Sequence, residues 1–326
     1  MRILVTGAGG FLGTNIVLNC LQKGWKVRAF TLDGSNVKYI QHTDVEIYYG
    51  DVADVEAVRK AMSGVDAVIH CAGDTSFWKR LFERQRRTNV EGVRNVMQIA
   101  MELKIKKVVH TSTVDALGYN PDGLADENWH LYNYSGWGYN YADTKKEGQD
   151  IALSYAKKGL DVVIINPGSM IGPYDHTLQF GRLFMDIRDH KVPAIPPGGA
   201  PWAHVNEVAK AHITALEKGR AGELYICGGI NATYKTVFSA IADSIGVKPP
   251  RFIMPPWMTI AYGYIAEFIA NFTNEKPSLN PGQARYMSVF PKYDSSKAEK
   301  ELGFVSLPIK TMIEDARDWY IQNGFL

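Results

Sequence analysis

Cysteine is scarce: the 326 residues contain three, Cys20, Cys71 and Cys227, far apart and without paired spacing. A disulfide framework is therefore excluded, and a reducing, cytoplasmic setting is expected. Net charge is scarce too. With 36 basic and 34 acidic residues the formal charge is +2, so no electrostatic surplus points to nucleic acid or to an anionic membrane. The eight histidines form no cluster with Cys, Asp or Glu, and no metal is expected. No uninterrupted apolar run suits a membrane span. The most apolar late stretch, Phe252 to Phe272, is broken by Pro255, Pro256, Gly263 and Glu267, which argues for a surface or lid helix over an apolar pocket, with peripheral membrane contact as the alternative. No signal peptide is expected, because Arg2 is followed at once by a strand pattern. Internal repeats and low-complexity tracts are absent.

What is present starts at the first residue. Ile3 to Val5 is an apolar run of the kind that forms a buried parallel strand, and it breaks at Thr6-Gly7 into a glycine turn that opens the amphipathic segment Phe11 to Leu21. The glycines fall at Gly7, Gly10 and Gly13, with Gly9 between them, so the spacing is G-x-x-G-x-x-G. One glycine must make the turn, one must let backbone amides approach a pyrophosphate, and Gly13 must let the helix pack closely on the strand. Phosphate charge then meets the free amides and positive dipole end of a helix.

The same alternation continues. Lys26 to Thr31, Val45 to Tyr49, Val65 to His70 and Val108 to Thr111 read as strands, and the segments near 55–62 and 87–103 read as helices. This cadence predicts an α/β fold with a doubly wound parallel sheet, whose ligands bind at the carboxyl ends of the strands. Cys71-Ala72-Gly73 is a break of small residues on that edge. The second strand ends Thr31-Leu32-Asp33-Gly34-Ser35, with Asp33 as a partner for the ribose hydroxyl of NAD and Lys38 as a partner for the extra phosphate of NADP. The choice between NAD and NADP stays open at this point. The 46% hydrophobic content provides for a large α/β domain and a smaller, mostly helical second lobe. The expected division is 1–166 with 204–226 for the dinucleotide-binding domain and 167–203 with 227–326 for the substrate lobe, with Pro193 to Pro201 as a loop between lobes.

Tyr141-Ala-Asp-Thr-Lys145 lies on a helical pattern that runs to about Lys157 and stops at Gly159. A spacing of four puts both side chains on one helix face, where an ammonium can lower a phenol's pKa from its usual ~10 and make Tyr141 a proton donor to a carbonyl. Spacing alone is weak evidence in a chain with 17 tyrosines. Tyr293-Asp-Ser-Ser-Lys297 repeats it far from any nucleotide-binding edge.

Taken together, Thr6-Gly-Ala-Gly-Gly-Phe-Leu-Gly13, Gly50-Asp51-Val52, His70-Cys-Ala-Gly73, Thr88-Asn89-Val90-Glu91-Gly92, His110-Thr-Ser-Thr113, Tyr141 to Lys145 and Asn166-Pro167-Gly168 occur in the order seen in extended short-chain dehydrogenases/reductases. The chain resembles that family over nearly its whole length, including Trp202 to Ala209 and Tyr293 to Phe304. It is most similar to dihydroflavonol-4-reductase-like and 3β-hydroxysteroid-dehydrogenase-like members. The resemblance implies a Rossmann sheet and an enzyme that moves a hydride between NAD(P)H and a ketone, aldehyde or secondary alcohol. It implies Tyr141 as general acid/base, Lys145 as the residue that lowers its pKa and holds the nicotinamide ribose, and Thr113 as the hydroxyl on the substrate oxygen, with Ser112 as runner-up. Gly7, Gly10, Phe11 and Leu12 are implied around the pyrophosphate, and Asp51 and Val52 at the adenine. Cys71, Ala72 and Gly73 are implied along the middle of the cofactor, with Thr111 beside them and Pro167 at the nicotinamide. Asn89 is implied to be structural. The family's dimer contact would use the helices at 87–103 and 141–157. Two departures stand out: Leu32 replaces the basic residue that many reductases carry after the second strand, and Thr113-Val114-Asp115 replaces the Thr-Asp-Glu of the sugar-nucleotide dehydratases, which argues against dehydration.

Trp129, Tyr132, Tyr134, Trp137 and Tyr139 precede Tyr141, and Phe77-Trp78 follow the fourth strand. Such aromatic density suits a flat or apolar substrate, with lobe packing as the plain alternative. Arg182, Arg188 and Arg285 form no evident clamp for a second pyrophosphate. The expected function is an NAD(P)-dependent oxidoreductase for a small-molecule carbonyl or alcohol. Its rivals are a nucleotide-sugar epimerase with retained NAD and a non-catalytic NAD(P)-binding sensor.

Overall fold

The computed structural model describes residues 1–42, 44–273 and 275–326. In chain order the main elements are β1 (Arg2–Thr6), α1 (Phe11–Gln22), β2 (Lys26–Thr31), β3 (Val45–Tyr49), α2 (Val55–Met62), β4 (Ala67–His70), α3 (Phe82–Arg86), α4 (Gly92–Glu102), β5 (Lys107–Thr111), α5 (Asn140–Lys157) and β6 (Val162–Pro167). They are followed by β7 (Ser169–Ile171), α6 (Arg182–Arg188), β8 (Gly199–His204), α7 (Val205–Lys218), β9 (Leu224–Cys227), β10 (Ile230–Thr233), α8 (Tyr234–Ser244), α9 (Pro256–Thr273), α10 (Pro281–Tyr286), α11 (Ser296–Leu302) and α12 (Ile309–Gln322).

Seven strands form one sheet in the order β3-β2-β1-β4-β5-β6-β9, every neighbouring pair parallel. The alternation of side chains along a strand explains the two layers around it. Ile3 and Val5 pack with α1, α7 and α11, whereas Leu4, Val68 and Val108 pack on the other side with α2, α4 and α5. Strand order reverses between β1 and β4, so a crevice opens beyond their carboxyl ends, which is where doubly wound sheets bind ligands.

The pattern at 87–103 is not one regular helix. Arg87–Glu91 is a π-helical turn that feeds α4, and Asn89 on it donates to the Asp74 carbonyl and the Thr144 hydroxyl while accepting from the Asp74 amide. Asn89 thereby ties the loop after β4 to α5, the structural role that the resemblance implied.

The second lobe is mostly helical, as expected, but it also contains short strands. A three-stranded sheet, β10-β8-β7, forms its base, and β8 occupies part of the stretch read as a loop at 193–201. Ile171, Phe184, Trp202, Phe238, Met312 and Tyr320 make its separate core. Asp175, fully buried, knits the 174–182 segment by accepting from the amides of Gln179, Phe180 and Gly181 and from the Tyr320 hydroxyl. Among the described residues no helix is long and apolar enough to cross a membrane.

Candidate active site

A cleft of about 730 Å³ runs along the carboxyl edge of the sheet. Its first end is the glycine turn. Gly7 has φ +69°, and a Cβ there would lie 2.7 Å from the Ala72 backbone; a Cβ on Gly13 would lie 2.0 Å from the Gly7 carbonyl oxygen. Only glycine fits either place. Gly10 caps α1 without a side chain, no acid sits in the first turn, and Phe11, Leu12 and Gly13 line the cleft. Uncapped amides at a positive helix end form an anion cradle, which fits the diphosphate of a dinucleotide.

Gly7, Gly10, Phe11, Leu12, Gly13, Thr31, Asp51, Val52, Cys71, Ala72, Gly73, Thr111, Thr113, Tyr141, Lys145 and Pro167 all line this one cleft. Asp33 and Lys38 do not, and the expectation for them is corrected. The turn at Gly34 carries them outward: the Asp33 carboxylate accepts from the Gly34 amide, and the Lys38 ammonium lies over the Tyr39 ring. Leu32, Gly34, Ser35 and Asn36 line the cleft in their place, so the wall after β2 carries neither the acid nor the base that separates NAD from NADP. Sequence reasoning also missed Arg84 and Arg87, which reach the cleft from the far side and pair with Asp74 and Asp51 at 2.7 and 3.0 Å. Thr177 and Gln179 close it from the second lobe. His176 beside them sets its ring 3.0 Å from the Gly9 carbonyl oxygen. No local pattern marks these residues, because each arrives from a different loop.

The other end holds the polar constellation. Helix α5 presents Tyr141 and Lys145 on one face. The Thr113 hydroxyl and the Tyr141 phenol line the same end of the cleft, with Thr113 pulling the phenol's pKa down, and the Thr113 carbonyl is held by Asn166 Nδ2 at 2.7 Å, itself bonded to Gln149. Ser112 is buried with no partner for its hydroxyl. The geometry thus favours Thr113 over Ser112 as the hydroxyl that shares a substrate oxygen with Tyr141. Lys145 is 6% exposed and its Nζ donates to the Thr111 carbonyl at 2.7 Å. Burial lowers its pKa to about 8.

One electrostatic expectation is reversed. Tyr141 is held above the ordinary phenol range, first by burial and then by the nearby Asp115 carboxylate, with the Thr113 hydroxyl pulling the other way. Lys145, whose Nζ points to the Thr111 carbonyl, is not among the groups that shift it. In this arrangement Tyr141 keeps its proton. Asp115 is itself pushed up to about 6 by burial, against the hydrogen bond it accepts from Tyr139 at 2.9 Å. Behind Lys145, His70 and His110 stack with centroids 5.3 Å apart; burial and the Lys145 charge depress both, and His70 falls to about 3. Cys71 donates to the Thr6 carbonyl, and burial raises its thiol to about 12, so it lines the cleft as a small apolar group.

The aromatic segment before Tyr141 divides. Tyr134 and Tyr139 are buried in a cluster with Tyr286, rings 4.9 to 5.9 Å apart, which is lobe packing. Phe77 stacks on Tyr139 and leans on Tyr141, forming the apolar backing of the catalytic end. Tyr293 and Lys297 lie elsewhere. The Tyr293 hydroxyl donates to the Gly118 carbonyl, and Lys297 pairs with Glu223.

The model of the NAD dependent epimerase/dehydratase family matches residues 3–228. The chain is similar to sterol demethylase protein B of Methylococcus capsulatus, 32% identical over 331 residues and covering all of both chains. It is also similar to a putative dihydroflavonol 4-reductase of Synechocystis sp., 29% identical over 99% of this chain and 95% of the relative. Among solved structures, gox2253 superposes with a TM-score of 0.86 at 31% identity, over 100% of this chain and 99% of the other.

Proposed function

The chain belongs to the NAD-dependent epimerase/dehydratase family, and from that premise we propose that it reduces a ketone or aldehyde, or oxidises the matching secondary alcohol, on an apolar ring-bearing substrate. The family works with a nicotinamide dinucleotide, and the chain is an enzyme of the short-chain dehydrogenase/reductase type acting on CH–OH or C=O groups. The observation that carries the finer reading is the convergence of Thr113 and Tyr141 beside buried Lys145, at the opposite end of one cleft from the glycine cradle.

The bound nicotinamide supplies or accepts the hydride. The chain supplies the rest. Gly7, Gly10, Phe11 and Leu12 would hold the diphosphate, Asp51 and Val52 the adenine end, and Lys145 and Pro167 the nicotinamide half. In the reducing direction Tyr141 gives its proton to the carbonyl oxygen while Thr113 donates a hydrogen bond to the same oxygen; in the oxidising direction both transfers reverse. The raised phenol pKa suits a group that must arrive protonated. Residues 1–166 with 204–226 form the cofactor unit of this reading, and 167–203 with 227–326 the substrate lobe.

Apolar substrate chemistry is supported by Phe77, whose ring leans on Tyr141, and the three arginines available for a sugar nucleotide are engaged elsewhere. Arg182 pairs with Asp186 and Arg188 with Asp189, while Arg285 donates to the Trp137 carbonyl and the Tyr264 hydroxyl. The full-length similarity to a sterol demethylase component agrees with a substrate of that kind.

The test is oxidation of NADH and of NADPH by the purified protein, followed by absorbance, against steroid ketones, aromatic ketones and aldehydes, and UDP-sugars. Consumption of reduced cofactor with a steroid or aromatic carbonyl is expected. Sugar interconversion without net oxidation overturns the proposal in favour of an epimerase, and cofactor binding without turnover of any of these substrates overturns it in favour of a sensor.

A further inference from the structure

Helix α9 is built inside out. At 3.6 residues per turn, Thr259, Gly263 and Ala270 share one face, and these small residues are the buried ones, with Gly263 pressed against Asn280 and Ala284 of the neighbouring α10 segment. The opposite face carries Trp257, Tyr264, Ile265, Phe268, Ile269 and Phe272, exposed by 51 to 74%. An ordinary surface helix does the reverse, burying its large apolar side chains and showing its small and polar ones. Phe252, Ile253 and Tyr262 extend the same patch, so that half of the eighteen large exposed hydrophobics of the described residues fall between 252 and 272. At about 100 Å² for each half-exposed side chain, the patch is on the order of 900 Å², beyond the ~300–600 Å² of the largest patch on a typical monomer. The catalytic cleft does not use it: none of these side chains lines that cleft.

The fringe of the patch identifies what covers it. Exposed Arg251 adjoins Phe252, exposed Lys276 follows the helix, and Lys79 and Arg80 flank its far end, where Arg80 donates to the Asn271 carbonyl at 2.9 Å. Glu267 and Glu275 are the acids nearest in sequence. With exposed Glu83 beside Lys79 and Arg80, the fringe carries four cations against three carboxylates, a small cationic excess. Pairing of two copies about a twofold axis would set this cationic fringe against itself, which disfavours a dimer. A bilayer with anionic headgroups meets both parts at once, with Ile and Phe entering the acyl boundary, Trp257, Tyr262 and Tyr264 at headgroup depth, and the cations on phosphate.

We propose that the exposed face of α9, with Phe252 and Ile253, docks the protein on the surface of an anionic phospholipid bilayer. The docking is peripheral and independent of the reaction catalysed in the cleft.

The test is flotation of the full chain with unilamellar vesicles of phosphatidylcholine alone and of phosphatidylcholine with phosphatidylglycerol. Wild type is expected to float with the anionic vesicles and to be released by high salt in part. The triple variant Ile265→Asp, Phe268→Asp, Phe272→Asp should lose at least tenfold in partitioning while keeping its circular dichroism and its affinity for cofactor, because all three side chains point away from the core. A second variant, Arg251→Glu with Lys276→Glu, leaves the apolar face intact and should lose about thirtyfold or more on anionic vesicles alone, since each cation near an anionic surface is worth ~1 kcal/mol. Wild type that stays in solution with both vesicle types overturns the proposal, as does a triple variant that floats like wild type. So does a wild-type dimer, measured by light scattering, that the triple variant converts to a monomer without any vesicle binding by wild type.

Discussion

Two stretches of this chain carry the same Tyr-x-x-x-Lys spacing, and they differ in everything else. Tyr141 and Lys145 sit within α5, so the spacing becomes a shared helix face; the lysine is buried on the Thr111 carbonyl and the phenol meets Thr113. Tyr293 lies before α11 in an extended segment bridged to Ala125, and Lys297 lies on that helix, half-exposed and paired with Glu223. The Tyr293 hydroxyl reaches inward to the Gly118 carbonyl at 2.7 Å. A four-residue spacing acquires chemical meaning only when a helix aligns it and a cleft receives it. Both tyrosines feel the same acid, Asp115, which raises each of them.

The sharpest way to break the comparison is to remove each hydroxyl. Tyr141→Phe should lower kcat by ~10²–10⁴-fold, the range for a lost general acid, and leave cofactor affinity nearly unchanged by fluorescence titration. Tyr293→Phe should leave kcat within a few-fold of wild type and cost about 1 kcal/mol of stability, the worth of one hydrogen bond. Equal losses of kcat in the two variants would sink the assignment of Tyr141.

Asp115 sharpens the comparison through pH. Its folded pKa is raised to about 6 from an ordinary 3.8, so the stability it contributes is fully present below the unfolded value and is lost as pH rises through about 6. Asp115→Asn removes that dependence. Relative to wild type, the variant should gain up to about 3 kcal/mol between roughly pH 4 and pH 8 in chemical denaturation, which is the pKa difference at ~1.36 kcal/mol per unit. Parallel stability curves for the two proteins would show that Asp115 is not the group that titrates.

The smaller contrast is between the lysines. Lys145→Met should weaken cofactor binding by about tenfold, as loss of a charge-assisted hydrogen bond of ~1.5 kcal/mol requires. In wild type, affinity should fall as pH rises through about 8, where Lys145 loses its charge, and the Lys145→Met profile should be flat there. Lys297→Met removes a surface pair worth ~1 kcal/mol or less and should leave the profile as it is. Identical profiles for Lys145→Met and wild type would contradict the ribose role.

Much of this was legible in the chain itself, and unevenly so. Strands such as β1, β4 and β6 are largely apolar because helices cover both faces, and β1, β2, β3 and β5 stand within a residue of where the pattern puts them. The small sheet was not legible. Gly199-Ala-Pro-Trp-Ala-His204 is poor in β-branched residues and rich in turn formers, and it becomes a strand through pairing with β7 and β10. The glycine turn was legible because two of its positions admit no Cβ. The wall after β2 was not, since the turn at Gly34 decides which of Leu32 to Lys38 faces inward.

Local periodicity and glycine positions therefore determined the sheet and the cradle, because each depends on neighbours within one or two turns or on the intrinsic reach of the backbone, while the resemblance along the chain singled out Thr113, Tyr141 and Lys145 as the proposed catalytic set. The protonation of Tyr141, the exclusion of Asp33 and Lys38 and the outward face of α9 were decided only by tertiary structure. Burial, charge and exposure are set by residues far away in sequence: Asp115 under the tyrosines, the Thr111 carbonyl that claims Lys145, and α10, which leaves α9 room to bury nothing larger than threonine.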